Sequence, residues 1–190
     1  MAEKNDLHGL RVACLLTDGF EYVEYDEPRK ALEEVGARVT VIAPQKGERY
    51  GMKHHDKHGT VNAEFTLDDA DAAQFDAVLL PGGALNADAL RIEPKAQEFV
   101  RAIDDAGKPI AVICHGPWLL VSADLADGRT ITSYKTIQDD LRNAGAKWVD
   151  NECVRDGNWV SSRQPADIPA FNREMVKLFS EGAAKKRDAA

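Results

Sequence analysis

Several features that would place the chain in a large functional class are missing. There is no basic excess: 24 Lys and Arg stand against 32 Asp and Glu, a formal net charge of −8. A nucleic-acid surface needs a basic face, so the charge balance argues against that partner. No run of about 18 apolar residues occurs, and no membrane partner is expected. The opening MAEKNDLHGL lacks the apolar segment of a secretory leader, which predicts a soluble, cytoplasmic protein. Cysteine is scarce. Cys14, Cys114 and Cys153 are odd in number and far apart, which suits reduced thiols better than a disulfide framework. No CxxC pair is present, so a structural zinc site is not expected. Repeats, linkers and low-complexity stretches are also missing. With 190 residues and 44% hydrophobic content the chain should fold as one domain, its core spanning 9–181 between mobile termini.

What is present centres on PIAVICHGPWLLVSA, Pro109 to Ala123. Pro109 to Ile113 is a short apolar run without helical alternation, as expected of a buried parallel strand. After Cys114, His115, Gly116 and Pro117, an apolar helix begins at Trp118. Pro117 suits a first helical turn, where no donor is needed and its φ is already set. A residue held between a buried strand and a buried helix sits on a tight turn with its side chain pushed out, the geometry of a nucleophile elbow. The helix N-terminus should favour thiolate at Cys114. A cysteine ending an apolar strand is more often a small buried hydrophobe. The following His and Gly weigh against that reading, because they continue a packed core poorly.

Leu10–Leu16 and Arg38–Ala43 read as buried strands around a helix from about Glu21 to Val35, with Pro28 predicting a kink or break near Asp26. Gln45–Val61 reads as a loop or small hairpin, and Phe75–Leu80 as a further strand ending in Pro81-Gly82-Gly83. A helix over about Glu93–Ala106 leads into the Pro109 strand. Later come a strand at Thr130–Thr132, a helix at Lys135–Asn143, a hairpin around Asp156-Gly157 and a helix from Ile168 to Phe179 before a frayed tail.

In an open parallel sheet, sites form beyond the carboxyl ends of the strands. Three stretches should meet there: Thr17–Glu24, Pro81–Asp88 and Cys114–Pro117. Glu21 offers a carboxyl, and His115 a group that exchanges protons near neutral pH. Gly82 and Gly83 offer N–H groups for an oxyanion, together with that of His115. The segment HHDKH (His54, His55, His58) could ligate a metal, but no cysteine or carboxylate completes a ligand pattern, so a solvated loop is favoured. Cys14 and Cys153 read as packed strand residues, and Trp118, Trp148 and Trp159 as core or interface residues.

PGG at 81–83, AVICHGPWLLVSA, TSYKTIQDDLRNAGAKWVD and DGNWVSSRQPAD, in that order, resemble the PfpI family of intracellular cysteine peptidase-like proteins. Its superfamily includes the Parkinson's-associated protein and the class I glutamine amidotransferases. The resemblance spans nearly the whole chain. It implies a flavodoxin-like α/β three-layer sandwich, a mostly parallel sheet with helices on both faces, with Cys114 as nucleophile beside His115 and Gly116. Glu21 matches the glutamate that hydrogen-bonds the sulfur. An ionised carboxylate there would oppose thiolate, so a protonated Glu21 is expected. Asp88 matches a third acid supplied by a neighbouring subunit, which implies a homodimer or larger homo-oligomer. Tyr134 matches a pocket tyrosine.

No cofactor is implied. The activity implied is a cysteine-dependent, stress-response hydrolase acting on small reactive carbonyls or glycated substrates, of glyoxalase or deglycase type. An intracellular cysteine peptidase acting on peptides is the alternative. So is a redox sensor or chaperone working through oxidation of Cys114.

Overall fold

The computed structural model describes residues 6–188. Its strands are β1 (Arg11–Leu15), β2 (Phe20–Glu21), β3 (Arg38–Ala43), β4 (Gly47–Lys53), β5 (Asp56–Ala63) and β6 (Phe65–Thr66). The second half adds β7 (Ala77–Leu80), β8 (Ile110–Ile113), β9 (Thr130–Ile131), β10 (Lys147–Trp148), β11 (Cys153–Asp156) and β12 (Trp159–Ser162). The helices are α1 (Tyr22–Glu34), α2 (Ala84–Arg91), α3 (Pro94–Asp105), α4 (Pro117–Ser122), α5 (Gln138–Asn143) and α6 (Ile168–Asp188).

Seven strands form the central sheet in the order β11-β12-β8-β7-β1-β3-β6, and all neighbours run parallel except β11 and β12. Both faces are covered, so the strands read as continuous apolar runs rather than alternating ones. β1 shows the division. Val12 and Cys14 face a core shared with Leu32 of α1 and Phe171, Met175 and Phe179 of α6. Ala13 and Leu15 face the opposite core, which holds Phe99 and Ile103 of α3 and Leu119 and Leu120 of α4. This is the flavodoxin-like α/β sandwich that the resemblance implied.

Two local expectations change and two are made more specific. α1 runs through Pro28 without a break, because Tyr25, Pro28 and Leu32 share its buried face and packing there outweighs the missing donor. The loop-or-hairpin segment is a hairpin, β4 against β5, joined to β2 in a separate three-stranded sheet. The Thr130 strand lies outside the central sheet, pairing with β10. The last helix continues to Asp188, so residues 185–188 are helical, while 189–190 of the expected tail lie outside the described residues.

An unforeseen element, α2, follows the PGG turn and carries Asp88 on a helix rather than in a loop. Its fully buried Asn86 ties two strand ends together. The side-chain amide donates to the carbonyls of Pro81 and Gly82 at 3.2 and 2.9 Å, and its oxygen accepts the Thr17 N–H at 2.7 Å. Replacing it with Leu strands three buried backbone groups. Asn86→Leu should therefore cost about 2–4 kcal/mol, read as a lower urea midpoint at unchanged slope.

Candidate active site

Cys114 leaves the end of β8 with φ +62°. This left-handed conformation is costly for a residue with a side chain and persists only where the surroundings impose it. Here its N–H donates to the Ser162 carbonyl at 3.0 Å, and its carbonyl accepts the Tyr134 N–H at 2.9 Å. Gly116 completes the turn, its N–H donating to the Ile113 carbonyl at 3.0 Å, and a Cβ there would stand 2.8 Å from the Leu80 carbonyl oxygen. Gly116 therefore serves close packing behind the turn, and its amide is spent there rather than at the cavity. Pro117 opens α4.

The elbow opens into a cavity of about 560 Å³. The three predicted stretches do converge on it: Gly19, Glu21 and Glu24 follow β1, Gly83 to Leu85 follow β7, and Cys114 and His115 follow β8. Tyr134 lines it as expected. Met52, His54 and His55 roof it from the tip of the β4–β5 hairpin, a contribution that sequence reading missed. His58 stands outside, with its ring edge-on to Tyr22 at 5.2 Å. Among the described residues no group of three or more His, Cys, Asp or Glu is arranged to hold a metal ion.

The carboxyl at the sulfur belongs to Glu24, not Glu21. Glu24 is fully buried; its Oε2 accepts the Gly82 N–H at 2.9 Å, and the carboxyl interacts with the Cys114 thiol. Burial, reinforced by the charge of Glu21, pushes its pKa up to about 8. It thus holds its proton at neutral pH and can donate to sulfur, the state expected of Glu21. Glu21 sits in β2, and its carboxylate oxygens take the His54 N–H at 3.1 and 3.4 Å, pinning the hairpin tip. A signal was available: Glu24, Pro28 and Leu32 recur at helical spacing on the buried face of α1.

Gly82 spends its amide on Glu24, so it is not the oxyanion donor the sequence suggested. A Cβ there would lie 2.5 Å from Glu24 Oε2 and 2.6 Å from Cys114 Cβ. The backbone N–H groups of Gly83 and His115 both interact with the sulfur. Even so, burial, followed by the Glu24 charge, raises the thiol pKa well above its ordinary value. The expected thiolate is thus not the resting state, because α4, only six residues long, gives too little field to offset that burial. Burial also raises Cys14, and it pushes Cys153 up to about 12.

His115 Nδ1 lies 3.2 Å from Cys114 Sγ. Burial lowers the imidazole pKa, so the ring is neutral at pH 7 and can accept a proton. Tyr134 stacks on one side at 5.0 Å between centroids, and Trp118, read earlier as core or interface, meets it edge-on at 5.5 Å. Asp88 is exposed on α2 and does not line the cavity of its own chain.

Glu24 makes stability depend on pH. Between the ordinary carboxyl value and about 8 the folded chain holds a proton that the unfolded chain releases. Stability is therefore fully present below about pH 4.5 and falls as pH rises to about 8. Urea unfolding at pH 5 and pH 8 should show a larger loss for wild type than for Glu24→Gln. Equal losses would mean that Glu24 is already ionised in the folded chain.

The pattern of the DJ-1/PfpI family matches residues 10–178. Deglycase PfpI of Pyrococcus furiosus is 44% identical over 171 residues, 90% of this chain and 99% of its own length. YraA of Bacillus subtilis, carried under a cysteine-protease name, is 44% identical over 169 residues, 89% of this chain and 98% of its own. A crystal structure from Anabaena variabilis, which joins a DJ-1/ThiJ/PfpI-like domain to a ferritin-like one, superposes with a TM-score of 0.85 at 33% identity. That match covers 92% of this chain and 49% of the two-domain one. The chain belongs to the DJ-1/PfpI family.

Proposed function

We propose that the protein is a cysteine-dependent hydrolase acting on small reactive carbonyls and the early glycation adducts they form. The observation that carries this reading is that Cys114, only 7% exposed, lines a cavity of about 560 Å³. Such a space suits a compact carbonyl or a single modified side chain better than an extended peptide. The deglycase name of the Pyrococcus relative supports the same reading.

In the proposed step the Cys114 S–H proton moves to His115 Nδ1 as sulfur bonds to the carbonyl carbon. The carbonyl π electrons go to oxygen, and the imidazolium then returns the proton to that alkoxide. A protonated Glu24 donates to sulfur and adds no opposing charge, while the Gly83 and His115 amides face the reacting centre. His115, neutral at rest, is ready to take the proton without first losing one.

The experiment is a parallel assay of methylglyoxal consumption, adduct release from a methylglyoxal-treated peptide, and casein cleavage. Cys114→Ala should lower the first two by roughly a hundredfold or more, and mild alkylation should label Cys114 before Cys14 or Cys153. Casein cleavage without carbonyl turnover would replace this reading with the peptidase one.

For assembly we propose a homodimer through α2. Leu85, Ala89 and Ile92 follow one another at helical spacing, with Leu85 60% and Ile92 74% exposed, and Asp88 lies on the same side. Light scattering should report a dimer for wild type and a shift toward monomer for Ile92→Lys. A monomeric wild type would overturn this assembly.

A further inference from the structure

His115 stacks on Tyr134 and meets Trp118 edge-on, contacts that limit how its ring can turn. Nδ1 meets the Cys114 sulfur at 3.2 Å, and Nε2 meets the Thr136 hydroxyl at 3.4 Å. Among the described residues, no acid of the same chain hydrogen-bonds Nε2. We propose that Thr136 is the positioning residue of the site: its hydroxyl accepts the Nε2–H of His115 and thereby keeps Nδ1 free to take the thiol proton.

The chemistry requires one tautomer. A neutral imidazole has one donor and one acceptor nitrogen. With Nδ1 facing a protonated thiol, Nδ1 must be the acceptor, so the ring proton sits on Nε2. Thr136 Oγ1 is the group placed to receive it. As Nδ1 takes the thiol proton the ring becomes an imidazolium, and the Nε2–H···Oγ1 contact becomes charge-assisted and stronger. The hydroxyl therefore favours both the productive tautomer and the charged state that follows. A carboxylate from another subunit would have to displace it to act there.

The backbone explains why residue 136 stands at this point. The Cys114 carbonyl accepts the Tyr134 N–H at 2.9 Å, stitching the next segment to the elbow. From Tyr134 the chain makes a single 3₁₀ turn, Lys135–Ile137, closed by the Ile137 N–H on the Tyr134 carbonyl at 3.2 Å and anchored by buried Ile137. That turn brings the Thr136 side chain over the imidazole edge, while its exposed position leaves room for substitution.

The inference rests on the Cys114–His115 pairing proposed above. It is read out by thiol reactivity and imidazole tautomer rather than by turnover, so a failed carbonyl assay leaves it standing. The test uses the full chain, with iodoacetamide as the probe of Cys114. Nitrogen NMR of labelled histidine reads the tautomer, with the His115 signals assigned by their loss in His115→Gln. Thr136→Val, equal in shape but without the hydroxyl, should slow Cys114 alkylation at pH 7 by about three- to tenfold, the size of one ordinary hydrogen bond. It should also move His115 toward the Nδ1–H tautomer, and Thr136→Ser should restore both properties. Wild-type rate and tautomer in Thr136→Val would overturn the proposal, as would failure of Thr136→Ser to restore them. So would Asp88→Asn producing both changes where Thr136→Val does not, which would place the partner subunit's Asp88 at Nε2.

Discussion

The left-handed backbone of Cys114 is the constraint on which the rest of the site depends. A conformation of this kind costs on the order of 1–3 kcal/mol for a residue with a side chain. It survives because its amide is fixed to β12 and its carbonyl to the segment leading to Tyr134. Both neighbouring strands are fully buried, so the elbow cannot relax without breaking the core. The same closeness explains Gly82 and Gly116, where a Cβ would meet the Cys114 side chain or the backbone of β7 and β8. Strain, glycine placement and the turning of the cysteine toward the cavity are thus consequences of one turn.

Electrostatics then divides the work around that turn. A buried thiol and a buried carboxyl cannot both carry charge at low cost, and burial raises both pKa values. The pair is therefore neutral at rest, with the proton on Glu24 aimed at sulfur and the Gly83 and His115 amides facing the same atom. Such a site holds little thiolate in waiting. A neutral imidazole stands 3.2 Å from the sulfur, within reach of the thiol proton.

The parallel sheet was legible because its strands are apolar runs separated by Gly, Pro and Asp, and the elbow because CHGP interrupts such a run so abruptly. What stayed hidden depended on phase or on distance. Glu21 and Glu24 are three residues apart in one segment, and only the true start of α1 at Tyr22 puts the second on the buried face and the first in a strand. α2 was hidden by the PGG turn before it, although ALNADALR is rich in helix-forming residues. The thiolate expectation failed because local sequence shows a helix start but not the burial around the sulfur. The hairpin side of the cavity was the least legible part, since His54 and His55 come to line it only through tertiary pairing of the hairpin.

The hairpin that lines the cavity is tied to the elbow through a small sheet of its own. β2 pairs in parallel with β4, Phe20 with Gly51 and Glu21 with Met52, so the residues leaving β1 and the roof over the cysteine form one small sheet. Gly51 and Gly59 leave room for the rings of Phe20 and Tyr22, and a Cβ at Gly51 would stand 2.9 Å from the Tyr22 ring. Phe20, Tyr22 and Tyr25 pack together beneath the hairpin, with centroids 5.6–6.4 Å apart. Beyond them the Glu21 carboxylate holds the His54 amide, whose residue is itself left-handed at φ +58°. The hairpin tip is therefore held by aromatic packing on glycine and by the Glu21–His54 contact rather than left as a loop free to swing.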